Sequence, residues 1–337
     1  MVKAMSDSVA KSPAELTRRR FLTGAAAGGA LCWSHRLGGA SPATPARFFS
    51  QLGIVAPLER AAEIRACGGD YLIEAVARIL VPDKPEAEFA PWRERVLNSE
   101  LPALGCNYFL RDPRLRCAGP DADHPRVLAF AEIVFRRLRE IRGEYVVLGN
   151  CGSRRLPPGW PKEKADEQSV ALLQAMGPLA ARHGVMVAVE QFNRAECNYL
   201  NHFSELLAVV SAASQPNIRV LADLYHMIQM DDPPADLGRG REWISMVEIA
   251  EKEKRTAPGV VGDNFRPYFA ALAEAGYRGR IGIEAFAGLE TANIRKGFAE
   301  IVRQSAEVSG IRSCRKPPRS DRNGASVGFA SIRRRTG

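Results

Sequence analysis

From residue 48 to residue 310 the chain alternates short apolar runs with longer stretches whose apolar positions recur at helical spacing. FFSQLGIVA precedes LERAAEIRACGG, YLIEAVA precedes EAEFAPWRERVLN, and PALGCNYFL precedes DHPRVLAFAEIVFRRLREIRG. EYVVLGN is followed by EKADEQSVALLQAMGPLAARHG, VMVAVEQF by HFSELLAVVSAAS, and IRVLADLYHM by the looser DDPPADLGRGREW. SMVEIAE with DNFRPYFAALAEAG and RIGIEAFAG with ETANIRKGFAEIVRQSAEVSG complete the series. The short runs are apolar at consecutive positions, as in a parallel strand covered on both faces. In the third helical stretch Phe130, Ile133, Val134, Leu138 and Ile141 share one face, Pro125 suits the first turn and Gly143 the stop. Arg182 and His183 stand before Gly184, where cations and a left-handed glycine favour a helix end.

Eight strand-helix units within about 250 residues predict an α/β fold of the (β/α)8 TIM-barrel type, a single domain over 48–310. An open doubly wound sheet is the alternative. It would carry a glycine-rich phosphate loop after the first strand, and APLERAAE has none.

A barrel gathers the C-terminal ends of its strands into one active-site mouth. Those ends deliver Glu190 from strand five, Asp223 from strand six, Glu248 from strand seven and Glu284 from strand eight. A single strand-end acid is as readily a rim residue or a helix cap. Four carboxylates at one mouth repel unless a cation sits among them, and oxygen ligands of this kind suit Mg²⁺ or Mn²⁺.

Several segments share the pattern of one family. GNCGSRRLPPGW, VEQFNRAECNYLN, DLYHM, EKRTAPG and GYRGRIGIE follow in order, and with them residues 48–308 resemble the xylose isomerase-like TIM-barrel sugar isomerases and epimerases, which include the ketose 3-epimerases. The resemblance implies that Glu190 and Glu284 bind the metal and also form the acid/base pair. It implies Asp223 as a third ligand, and Glu196, His226 and Arg255 as residues that hold substrate oxygens. Strand seven departs from the pattern: the family carries a histidine ligand where this chain has Glu248. A fourth carboxylate there favours oxygen-loving metals.

The chemistry expected from such a site is proton transfer on a ketose or related sugar. One glutamate removes the proton beside the carbonyl and the other returns one, with a divalent ion stabilising the enediolate between. Return to the opposite face gives epimerisation, return to the neighbouring carbon isomerisation, and loss of a β-leaving group a lyase acting on a keto-glycoside. A non-catalytic sugar-binding barrel is the reading of a different class. Hydrolysis of abasic nucleic acid, as in the related endonuclease IV group, calls for several histidines and a basic face, and the whole chain has five His.

Charge argues against a nucleic-acid partner. The formal net charge is +9, yet residues 1–47 hold seven Lys and Arg against Asp7 and Glu15, and residues 311–337 hold eight against Asp321. The barrel is therefore mildly acidic, and the basicity belongs to the tails. TRRRFLTGAAAGGALCW, with Arg18 and Arg19 before a short apolar stretch, resembles a twin-arginine export signal, so residues 1–43 are expected to be signal and linker. This implies the twin-arginine machinery as a partner, a periplasmic destination and no stable membrane insertion after signal removal. Residues 311–337, rich in Pro, Gly, Ser and Arg, read as a disordered tail. A homo-oligomer remains open. The seven cysteines form no CxxC pair, and Cys106 and Cys151, beside apolar runs, are expected to be buried thiols. His124, His183 and His202 sit at helix ends, as structural histidines do.

Overall fold

The computed structural model describes residues 47–313. The expected signal and linker, 1–43, and the tail from 314 onward lie outside the described residues. The elements run β1 (Leu52–Val55), α1 (Ala61–Cys67), β2 (Tyr71–Ala75), α2 (Val76–Ile79), α3 (Glu86–Leu97), β3 (Ala103–Asn107), α4 (His124–Glu140) and β4 (Tyr145–Leu148). The second half continues with α5 (Cys151–Arg154), α6 (Lys162–Arg182), β5 (Met186–Glu190), α7 (Phe203–Ala213), β6 (Ile218–Asp223), α8 (Leu224–Gln229) and α9 (Asp236–Arg239). It ends with β7 (Ile244–Ile249), α10 (Arg266–Glu274), β8 (Arg280–Ile283) and α11 (Thr291–Ser313). The strands pair in parallel and in chain order as a closed barrel. β1 closes on β8 with Leu52 opposite Ile281 and Ile54 opposite Ile283, which excludes the open doubly wound alternative.

Three local patterns differ from the sequence expectation. IRVLADLYHM is not one run: the Asp223 carboxylate accepts the Tyr225 backbone N–H at 2.7 Å and starts α8 at once, so His226 is helical. On α4 the buried face is Val127, Ala131, Val134, Phe135 and Leu138, while Phe130 and Ile133 are only half-buried. α11 runs past residue 310 to Ser313, into the segment expected as tail. Pro125 does open α4, and Gly184 takes the left-handed conformation with φ +66° after α6. Among the described residues no helix is long and apolar enough to cross a membrane.

Two cores hold the fold. The larger lies between strands and helices, where fully buried Leu, Ile, Val and Phe each contribute about 1.5–3 kcal/mol. The smaller fills the barrel with Tyr71, Ile73, Leu104, Tyr145, Val147, Ala188, Leu221 and Met246. Two glycines make room for its tyrosines. Gly53 is the register partner of Tyr71 and Gly105 of Tyr145, and a Cβ on either glycine would overlap the facing ring. The tyrosines thus fill the barrel interior, and the strand-end acids stand at its C-terminal mouth.

Candidate active site

Glu190, Asp223 and Glu248 lie at the C-terminal ends of β5, β6 and β7, and Glu284 follows β8 directly. One carboxylate oxygen from each lies within 4.8 Å of all the others. All four are buried. Asp223 plays both roles open to a strand-end acid, capping α8 with one oxygen and facing the cluster with the other. Glu190 fits because a glycine follows β4: a Cβ at Gly149 would overlap Glu190 Oε2.

Arg255 enters the ring of acids from the loop after β7. Its Nη2 donates to Asp223 Oδ2 at 3.1 Å and to Glu284 Oε2, and Nη1 stands 3.4 Å from Glu196 Oε1. The guanidinium lies between the rings of Tyr225 and Phe286, at 4.5 and 4.4 Å from their centroids. Reaching this place requires left-handed backbone at two consecutive side-chain-bearing residues, Lys254 (φ +57°) and Arg255 (φ +50°). Glu251 steadies the turn. Fully buried, it accepts the Thr256 hydroxyl at 2.8 Å and the backbone N–H groups of Gly259, Val261 and Gly262 at 2.6–2.8 Å. Burial works against its charge, but these donors win and hold its carboxyl below the usual range.

His226 is wholly buried, and its Nε2 lies 3.6 Å from Asp223 Oδ2 and 3.7 Å from Glu190 Oε1. Its Nδ1 faces the backbone N–H of Asn193 at 3.1 Å and the Asn193 side-chain amide at 2.9 Å. Two donors on Nδ1 leave the proton on Nε2, so this nitrogen offers a hydrogen bond to the cluster instead of a lone pair. Burial lowers the imidazole to about 4, which keeps it neutral. The Asn193 amide also donates to Glu196 Oε1 at 3.0 Å, so Glu196 joins the site through Asn193 and Arg255.

Burial and mutual repulsion act on the acids together. Burial, followed by the charges of Glu284, Glu248 and Asp223, raises Glu190 well above the carboxylate range. Burial and the charges of Glu284 and Asp223 do the same to Glu248. Glu284 is also raised by burial, while Arg255 pulls it back. Glu190 Oε1 and both oxygens of Glu248 have no hydrogen-bond partner among the described residues. Buried, unpartnered carboxylate oxygens converging with one guanidinium fit a divalent cation that prefers oxygen. Glu190, Asp223, Glu248 and Glu284 would hold it.

The structure brings together every expected site residue: the four acids, Arg255 and His226 directly, Glu196 at the rim. It adds Asn107, whose amide stands 3.4 Å from Glu284 Oε1 at the end of β3, and Gly149, Asn193 and Glu251. The strand-end rule that finds Glu190 also points to Asn107. The same rule points to Glu74 on β2, but Glu74 accepts the N–H groups of Leu58 and Ala75 instead. Cys106 is buried as expected, whereas Cys151 is half-buried in α5. His124, His183 and His202 contact Cys117 O, Glu132 and Asp232, in keeping with structural roles.

The model of the xylose isomerase-like TIM barrel family matches residues 80–306. The chain belongs to that family. One family relative, L-ribulose 3-epimerase of Methylomonas sp. (strain DH-1), is 32% identical over 130 residues, 38% of this chain and 45% of the relative. The chain spans about half the length of the curated relatives it matches. Among solved structures, an L-ribulose 3-epimerase superposes with a TM-score of 0.64 at 19% identity, covering 80% of this chain and 100% of that one. The IOLI protein, solved with a zinc atom bound, gives 0.57 at 17% identity over 77% and 96%. The family fold is thereby shared, closed barrel and all.

Proposed function

We propose that this protein is a divalent-metal-dependent sugar isomerase or epimerase that moves a proton beside the carbonyl of a ketose through an enediolate. The observation that carries the reading is the pair Glu190 and Glu284. They reach one buried cluster from strands three places apart in the closed barrel, so they can address a bound sugar from different sides. The names of the epimerase relatives point the same way. A bound Mn²⁺ or Mg²⁺ would supply positive charge to stabilise developing negative charge on the sugar oxygens.

The chain's own residues do the rest. One glutamate takes the proton and the other returns one, and the roles exchange for the opposite epimer. Arg255, with its charge held by Glu284 and Asp223 against burial, offers N–H groups to sugar oxygens. His226 offers Nε2–H, and Glu196 accepts from a hydroxyl. Asn107 keeps Glu284 in place, and Gly149 leaves the space that Glu190 fills.

The test is solvent-deuterium incorporation by the purified protein, loaded with Mn²⁺ or Mg²⁺, on a panel of ketoses followed by NMR. Exchange at the carbon beside the carbonyl is expected, and Glu284→Gln should abolish it. No exchange on any ketose by metal-loaded protein would overturn the reading. Release of a leaving group from keto-glycosides in the same assay would identify elimination instead.

A further inference from the structure

Beside the site, α5 and the loop after β5 bring two thiols together. Cys151 Sγ donates to the carbonyl of Glu196 at 2.8 Å, which sets it beside the next residue, Cys197. Cys197 is fully buried and Cys151 half-buried. The third member is Arg154, which is also buried. Its Nη2 donates to the Glu190 carbonyl at 2.6 Å and its Nε has no partner. Its positive charge also acts on the Cys197 sulfur. Among the described residues no carboxylate pairs with Arg154, so a Cys197 thiolate is the anion that its buried charge has at hand. The neighbouring Cys151 thiol and Arg154, acting against burial, bring Cys197 down to about 5, while Cys197 and burial raise Cys151 above the usual thiol range, so the proton rests on Cys151.

We propose that Cys151 and Cys197 are a redox-active dithiol that closes to an intramolecular disulfide by exchange with an external disulfide of the glutathione type. Only Cys151 is exposed enough to meet that reagent. As the Cys151 proton passes to the Cys197 thiolate, the Cys151 sulfur attacks one sulfur of the external disulfide and expels the other as a thiolate. The Cys197 sulfur then gives up the proton and attacks the Cys151 sulfur of the mixed disulfide, releasing the second external group. The pair loses two electrons and one proton, and the external disulfide leaves as one thiol and one thiolate. The new bond ties the wall that carries Gly149 to the loop that carries Glu196. It does not depend on the proposed sugar chemistry.

The test uses the full chain, reduced and then equilibrated with glutathione disulfide without denaturant, followed by alkylation in denaturant and mass spectrometry. The wild type should lose the mass of two hydrogens, take up two fewer alkyl groups than the reduced control, and yield a cross-linked pair of peptides containing Cys151 and Cys197. Cys197→Ser should instead keep one glutathione on Cys151. Full alkylation of both thiols, a glutathione adduct persisting on wild-type Cys151, or a cross-link to another cysteine would each overturn the proposal.

Discussion

Arg255 Nη2 lies 3.1 Å from Asp223 Oδ2, which places a fixed positive charge inside a ring of four buried carboxylates. In Arg255→Met the metal-free protein keeps the acids and loses their cation. Removing one partner of a buried ion pair costs about 3–5 kcal/mol. Urea denaturation in EDTA should show a loss of that order, and added Mn²⁺ should shrink it by restoring positive charge. Equal losses in both conditions would refute a site built to take a cation. Activity on a ketose should fall roughly a hundredfold, the worth of a charge-assisted hydrogen bond of about 3 kcal/mol.

Gly149→Ala tests whether Glu190 needs the space that β4 leaves. The added Cβ overlaps Glu190 Oε2, so the carboxylate must turn away. Deuterium exchange should drop at least about a hundredfold, since small misplacements of a reacting group have effects of that size. The far-UV circular dichroism should stay that of a folded barrel. Unchanged exchange would mean that Glu190 has no fixed role.

Proton release should accompany metal binding. Burial and neighbouring charges raise Glu190 and Glu248, so at any pH below the raised values a cation that binds their carboxylates displaces protons. For each proton displaced, the apparent affinity falls about tenfold per unit drop in pH. Titration calorimetry with Mn²⁺ in buffers of different ionisation enthalpy checks this, and equal heats across buffers would count against it.

For folding of the metal-free protein the same raised carboxyls have a definite sign. Their folded values exceed the ordinary 4.5, so their contribution is largest at low pH and is lost as pH rises through the raised values. His226 acts in the other direction. Held at about 4 against an ordinary 6.5, it contributes fully above 6.5, and that contribution is lost as pH falls towards 4.

Glu251→Gln should loosen the turn that aims Arg255. An amide presents N–H groups to the backbone donors that the carboxylate now satisfies, and stability should fall by about 3 kcal/mol. KM for a ketose should rise more than kcat falls, because the variant misplaces the guanidinium proposed to hold sugar oxygens and leaves the glutamate pair intact. A fall in kcat at unchanged KM would contradict this role.

The four acids are legible in the sequence because each ends an apolar run, and a parallel barrel carries such ends to one mouth. Arg255 is less so. It belongs to a run of charges in which Lys252, Glu253 and Lys254 are exposed, and only two left-handed residues turn it inward. Backbone conformation of that kind leaves no trace in composition. Nor do Gly149 and Glu251 declare themselves: the first matters for the atom it lacks, the second for backbone N–H groups that a loop folds around it. His226 is legible as a residue of the site, but its tautomer depends on Asn193, which packing supplies.

The tyrosines facing Gly53 and Gly105 carry one last consequence. With Tyr71 and Tyr145 plugging the barrel, the cluster sits in a cul-de-sac, not a tunnel. Anything that reaches Glu248 must back out through the doorway it came in by, so a spent molecule blocks its successor until it departs.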